Sequence, residues 1–179
     1  MTNLFEMLIP KLRVNTVFDI NLEELYEQGY RGIITDLDNT LVGAKAPLAT
    51  PELVVWFKRV KEIGFQLIIV SNNQLERVSK FATPLDIQYV HEARKPSNTP
   101  FRKAMKMMEL TPEKTVVVGD QMLTDVYGGN RLGLYTVLVM PIAINDEGWF
   151  TRLVNRRVER IALTRLRKKG LWMEEEPKS

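Results

Sequence analysis

Two aspartates separated by a single residue, Asp36 and Asp38, stand in the run Gly-Ile-Ile-Thr-Asp-Leu-Asp-Asn-Thr-Leu. On a continuing strand, residues i and i+2 share one face. In a loop leaving the end of a strand, their carboxylates can instead converge on one cation and one phosphoryl group. A divalent cation such as Mg2+ offsets the repulsion between them. One carboxylate can then attack phosphorus and form an acyl phosphate. The other can protonate the leaving oxygen and later deprotonate the hydrolytic water. The same spacing also occurs in ordinary Asp/Asn-rich turns, which carry no chemistry. Other segments therefore decide between the two readings.

Three segments offer the missing parts. Leu-Ile-Ile-Val70 is followed by Ser71-Asn72-Asn73, where a small hydroxyl and backbone N–H groups at a helix start suit a phosphate oxygen; a serine there also serves as a helix N-cap. In Arg94-Lys95-Pro96, Lys95 can neutralise both Asp36 and a bound phosphate, although a lone Lys-Pro pair reads equally well as a solvated loop. Pro96 favours an extended Lys95 and a helix start, and Arg94 is a candidate substrate contact. In Val-Gly-Asp120-Gln-Met-Leu-Thr-Asp125, Asp120 can ligate Mg2+ directly and Asp125 can support it from behind or through water. Asp125 is also simply an acid in the first turn of a helix, favoured by the dipole. The single histidine, His91, lies near a strand end with no histidine-based metal pattern around it.

The elements that must position these residues are visible as apolar, β-branched runs. Gly32–Thr35, Gln66–Val70, Ile87–Val90, Thr115–Val118 and Leu134–Val139 read as strands buried on both faces, because such strands lose polar alternation. Helical patterns lie between them: Pro51 toward Ile63 with Gly64 as its stop, Gln74–Phe81, Thr99–Glu109, and Leu123–Arg131 followed by Gly133. Ahead of the first strand, Asn21 can cap a helix with Glu24 at the capping-box position, ending at Gly29. Alternation of this kind predicts an α/β fold with a parallel sheet and helices on both faces. Ligands bind such sheets at the carboxyl ends of the strands. Every candidate residue above falls at such an end.

Taken together, the four segments resemble the motifs of the haloacid dehalogenase-like hydrolase superfamily, in family order. Asp36-Leu-Asp38-Asn-Thr40 is similar to motif I, Asp-x-Asp-x-Thr; Ser71 falls at motif II, Lys95 at motif III, and Asp120 with Asp125 at motif IV. The resemblance implies a Rossmann-like parallel sheet and a phosphatase dependent on Mg2+. Asp36 is then the nucleophile and Asp38 the acid/base. Asp36, the Asp38 backbone carbonyl and Asp120 hold the metal with Asp125 in support. Thr40, Ser71, Asn72 and Lys95 bind the phosphate, Lys95 also balancing charge in catalysis. Members usually carry a cap domain after motif I or between the third strand and motif III. Here Val42–Thr50 leaves a short flap and Val90 to Lys95 leaves no room, so no cap domain is expected. An open site does not enclose a small metabolite; it admits a phosphate projecting from something large. The chain as a whole resembles the YqeG-type subgroup of class IIIA of this superfamily. Relatives there include phosphatidylglycerophosphate phosphatases, which implies phospholipid metabolism.

Composition agrees with a globular protein: 179 residues, 45% hydrophobic and 26% charged. There is no cysteine, hence no disulfide or thiolate metal site. The first ten residues do not read as a secretory signal and Gly133 to Ile144 is too short to span a bilayer, so a cytoplasmic protein is expected. The net charge of +3 is uneven: residues 151–170 hold eight Lys/Arg against Glu159, leaving the remainder net negative. Residues 1–148 are expected to form the phosphatase domain. In 149–179, apolar residues recur at helical steps from Trp149 to Leu166 opposite an arginine-rich face. Such a helix either packs its stripe on the domain or a partner, or lies peripherally on an anionic membrane surface. Leu4–Arg13 offers a second apolar, basic patch. A phosphorylated lipid substrate is therefore favoured over nucleic-acid ends or a phosphoprotein, for which a basic tail would give steeply salt-dependent binding. A ribosome- or partner-binding module with little catalysis is the alternative from a different class, and it needs none of these carboxylates.

Overall fold

The computed structural model describes residues 6–143 and Thr164. Six strands, β1 (Leu12–Val14), β2 (Gly32–Thr35), β3 (Gln66–Val70), β4 (Gln88–Val90), β5 (Thr115–Gly119) and β6 (Tyr135–Val139), form one sheet in the order β1-β6-β5-β2-β3-β4. All pairings are parallel. The helices are α1 (Leu22–Glu27), α2 (Pro51–Ile63), α3 (Leu75–Ala82), α4 (Asn98–Met108) and α5 (Tyr127–Asn130), the last continuing a π-helical turn over Met122–Val126.

Successive strand residues feed opposite faces, as the pleat demands. Ile33, Ile69, Val116 and Val118 pack with Leu25 of α1, Leu53, Trp56 and Val60 of α2, and Val78 and Phe81 of α3. Ile34, Ile68, Val70 and Val117 pack with Phe101, Ala104, Met105 and Met108 of α4. The sheet is thus covered on both sides, which accounts for its nearly continuous apolar strands. β2 lies between β3 and β5, so chain order reverses beside it. That switch point opens a crevice at the carboxyl ends of β2 and β5.

Local signals set most boundaries. α2 starts where Thr50 accepts the Leu53 N–H with Pro51 at the first position, and it stops at Gly64. Gly64 has φ +110, and a Cβ there would lie 2.9 Å from the Tyr26 hydroxyl. Asn21 accepts the Glu24 N–H at 3.1 Å and caps α1. α4 begins at Asn98 with Ser97 as its cap, so Pro96 lies ahead of the helix it was expected to open.

β1 departs from the sequence expectation. Leu12 and Val14 pack against the main core, and Lys11 donates to the Thr136 carbonyl at 2.9 Å. Leu8 is buried against Met122, and the Asn130 side-chain amide donates to the carbonyls of Met7 and Ile9 at 2.9 and 2.8 Å. In residues 6–14 the supposed apolar surface patch is therefore part of the sheet and its packing. A three-residue strand is too short to show a period. The candidate amphipathic helix 149–169 and the separate tail 149–179 lie outside the described residues apart from Thr164. Among the described residues no helix is long and apolar enough to cross a membrane.

Candidate active site

β2 ends at Thr35, and the chain leaves the sheet at once. Asp36 N still donates to Val118 O at 2.9 Å, so the residue is pinned beside β5. Beyond it, Leu41 and Val42 N–H groups return to Leu37 O, and Asn39 sits at φ 63. This tight turn sends Asp36 and Asp38 to different surroundings.

Asp36 joins a buried cluster. Its Oδ1 lies 2.8 Å from Lys95 Nζ, and Asp125 Oδ1 lies 2.7 Å from the same nitrogen. Ligand oxygens of Asp36, Asp120 and Asp125 all fall within 4.8 Å of one another. Lys95 and Asp125 side chains are almost wholly buried and that of Asp36 is 11% exposed. Asp120 accepts from Thr40 Oγ1 at 3.2 Å. Asp125 spends its second oxygen on the Gln121 N–H and the Thr124 hydroxyl, each at 3.2 Å. It thereby holds Lys95 toward Asp36. Gly119 makes room for this, since a Cβ there would lie 2.2 Å from Asp125 Cγ.

Asp38 is held outside the cluster by two residues that the motif reading did not single out. Arg77 of α3 donates to Asp38 Oδ1 through Nε at 3.1 Å and Nη2 at 2.9 Å, and Asn73 Nδ2 donates to Oδ2 at 3.0 Å. A helix that begins beside the site aims its first turn at it. Arg77 stands in that first turn, but the sequence alone does not distinguish it from an arginine facing solvent. Ser71 is buried and its Oγ accepts the Asn73 N–H at 3.1 Å, which leaves its hydroxyl proton free to donate; the α3 cap is Gln74 rather than Ser71. The Asn72 amide clasps the Lys95 backbone, accepting from its N–H at 2.7 Å and donating to its carbonyl at 3.4 Å. Arg94 adopts φ 57. His91 pairs with exposed Glu92 at 3.2 Å, apart from the cluster.

The electrostatics call for a cation. Were all three carboxylates ionised beside the one ammonium, the buried cluster would carry a net charge of about −2, which the fold relieves by holding protons or a cation. Burial raises the Asp36 pKa to about 6, against the lowering effect of Lys95. Burial, then Asp36 and Asp125, raise Asp120 well above the carboxylate range. Burial would lower Lys95, yet Asp125 and Asp36 hold it above its ordinary value. Hard oxygen donors with excess negative charge fit a divalent cation of the Mg2+ type.

A pH dependence follows. Because the Asp36 value in the fold exceeds its ordinary 3.8, the metal-free fold gains stability from the bound proton below about pH 4 and loses it as pH rises through about 6. A cation must displace that proton. Isothermal titration of the protein with Mg2+ is expected to show affinity rising as pH increases through about 6, with protons released on binding from Asp36 and from Asp120, whose value is raised further.

Comparisons with known proteins bear on this arrangement. Residues 92–141 match a family model described as HAD-hydrolase-like. The chain is 50% identical over 162 residues to a Bacillus subtilis (strain 168) protein named "Probable phosphatase YqeG", covering 90% of this chain and 93% of that one. It is 29% identical over 176 residues to the chloroplastic/mitochondrial phosphatidylglycerophosphate phosphatase 1 of Arabidopsis thaliana. That match covers 93% of this chain but spans only 50% of the plant protein. In fold it resembles a solved Streptomyces avermitilis structure assigned to the HAD family hydrolases, with TM-score 0.50, 16% identity and coverage of 72% and 75%. Identity this high over nearly the full length of a phosphatase, on a parallel sheet that carries its acids at the switch point, places the chain in the haloacid dehalogenase-like superfamily as one of its phosphatases.

Proposed function

We propose that the chain hydrolyses phosphomonoesters through an aspartyl-phosphate on Asp36, and that its substrate is a lipid phosphate of the phosphatidylglycerophosphate kind. The observation that carries the chemistry is the division of the two motif-I aspartates. Asp36 is fixed 2.8 Å from a buried ammonium among further carboxylates, while Asp38 stands apart beside Arg77. Held in different surroundings, the two carboxylates can take different roles.

Asp36 Oδ attacks phosphorus as the bond from phosphorus to the leaving oxygen breaks, and Asp38 gives that oxygen its proton. Asp38 then takes a proton from water, whose oxygen attacks phosphorus and expels the Asp36 carboxylate. Lys95 balances the charge on Asp36 and the phosphoryl oxygens. The Ser71 hydroxyl positions the phosphate, Thr40 steadies Asp120 through its own hydroxyl, and Asn72 acts by fixing the Lys95 backbone. Asp36, the Asp38 carbonyl and Asp120 would hold Mg2+, with Asp125 in support; bound there, the ion screens the phosphoryl charge from the carboxylates.

The lipid assignment rests on three supports: the open site, the substrate named for the plant relative, and exposed apolar residues on the flap and α3. The flap after β2 and the loop after β4 are short, with no inserted domain among the described residues. Leu48 of the flap and Leu75 at the start of α3 are large, apolar and half exposed. Phosphate release from phosphatidylglycerophosphate in vesicles is expected to exceed release from glycerol 3-phosphate by at least about tenfold in kcat/KM. Both should stop in EDTA and return with Mg2+. Equal rates on the two would sink the lipid assignment; activity that persists in EDTA would sink the metal.

A further inference from the structure

β3 hands the chain to α3 through Ser71-Asn72-Asn73-Gln74, and this connection holds the side chain of Asp38 from outside its own loop. Asn73 is fixed on three sides. Its N–H donates to Ser71 Oγ at 3.1 Å, its carbonyl accepts from the Glu92 N–H at 2.8 Å, and its side-chain Oδ1 accepts from the Gln74 N–H at 2.8 Å. The last contact sets the sense of the amide, so Nδ2 faces Asp38 and donates to Oδ2 at 3.0 Å. Arg77 stands in the first turn of α3 with its guanidinium 6.0 Å from the ring of buried Phe81. It donates through Nε and Nη2 to Asp38 Oδ1 at 3.1 and 2.9 Å.

A carboxylate has about four lone-pair positions, two on each oxygen. The two guanidinium N–H groups fill Oδ1. The Asn73 amide takes one position on Oδ2, and the other has no partner among the described residues. An acid that gives up a proton needs a position to carry it, and a base that takes one from water needs that position open. The same contacts suit the protonated form: Oδ1 stays the carbonyl-like acceptor of Arg77 while Oδ2 carries the hydrogen. We propose that Arg77 and Asn73 are positioning residues for proton transfer, leaving Oδ2 of Asp38 as the one atom that exchanges protons with substrate and water. Oδ2 gives its proton to the leaving oxygen as the bond from phosphorus to that oxygen breaks. It then receives one from the water whose oxygen attacks phosphorus and releases the Asp36 carboxylate. Both residues act through Asp38, with no contact to the substrate required. The inference rests on Asp38 as the proton donor.

The test reads how strongly the rate depends on the leaving group. kcat/KM covers the steps through departure of the leaving oxygen. It is measured on the full-length protein with Mg2+ for p-nitrophenyl phosphate, whose phenolate leaves with little need of a proton, and for glycerol 3-phosphate, whose alkoxide needs one. Asp38→Asn is the reference, expected to lower the glycerol 3-phosphate value about 100-fold more than the nitrophenyl value, the share of a general acid. Arg77→Met and Asn73→Ala are each expected to show the same selective loss at about tenfold, since they misdirect the acid without removing it. Arg77→Lys should regain part of it by returning a charged donor to Oδ1. Added to Asp38→Asn, Arg77→Met should bring no further selective loss, because both changes act through one group. A parallel loss on both substrates, or no loss, in either single variant overturns that residue's role, and leaves the reading of Asp38 standing if Asp38→Asn keeps its selectivity. Should Arg77→Met fail to fold in thermal melts, Asn73→Ala alone decides. An Asp38→Asn variant without selective loss removes the proton donor and this inference with it.

Discussion

Asp36→Asn is expected to lower kcat by at least about 10⁴-fold, as loss of a covalent nucleophile does, while the fold survives. The asparagine keeps an acceptor oxygen for Lys95 and nearly the same volume, but its amide does not form the acyl phosphate. It also removes one of three carboxylates crowded into 4.8 Å. In EDTA the variant should therefore melt no lower than the wild type, and higher where the wild-type Asp36 is ionised, above its pKa of about 6. Its response to Mg2+ should weaken, because a ligand and a charge are both lost. Phosphate release, together with thermal melts with and without Mg2+, checks all three parts. Wild-type turnover in the asparagine variant would place the nucleophile elsewhere.

Lys95→Met is expected to cost stability as well as activity. Lys95 is the shared counter-ion of Asp36 and Asp125, at 2.8 and 2.7 Å with its side chain 3% exposed. Removing one partner of a buried ionic cluster leaves the other charges uncompensated, at a cost of about 3–5 kcal/mol. For a chain of this size that corresponds to a melting-temperature loss of roughly 10 °C. The sign of the pH dependence follows from the acids. Lys95 stabilises them while they are ionised, so its contribution is present at neutral pH and fades as they protonate. The gap between wild type and variant should narrow as pH falls through about 6, the value of Asp36. Mg2+ should narrow it at neutral pH by replacing part of the missing charge. Denaturant unfolding at pH 7.5 and pH 5, with and without Mg2+, measures this. A gap independent of pH would mean that Lys95 acts through packing alone.

Much of the molecule was legible in the chain. Each chemical residue follows an apolar run that can only be a buried strand, and α/β alternation sends every such strand end to one edge of the sheet. α2 could be read almost residue by residue because Thr50, Pro51 and Gly64 act through their own backbone geometry. These signals are local, so composition and spacing carry them.

Other features depended on which strands become neighbours. The crossover from β4 through α4 returns the chain to the far side of β2 and seats β5 there. That single adjacency brings Asp120 and Asp125 to Asp36, and it explains why Lys95 serves two acids and why Gly119 must be small. β1 escaped the reading because three residues hold no period. Arg77 escaped because its partner, Asp38, lies in another loop, and an arginine on an amphipathic helix looks the same whether it faces solvent or a carboxylate. Apolar periodicity records how deeply a side chain is buried. The partner of a charge is set only by the folded distances, and in this protein those distances separate the two aspartates of one loop into a buried, lysine-paired group and an outer, arginine-paired one.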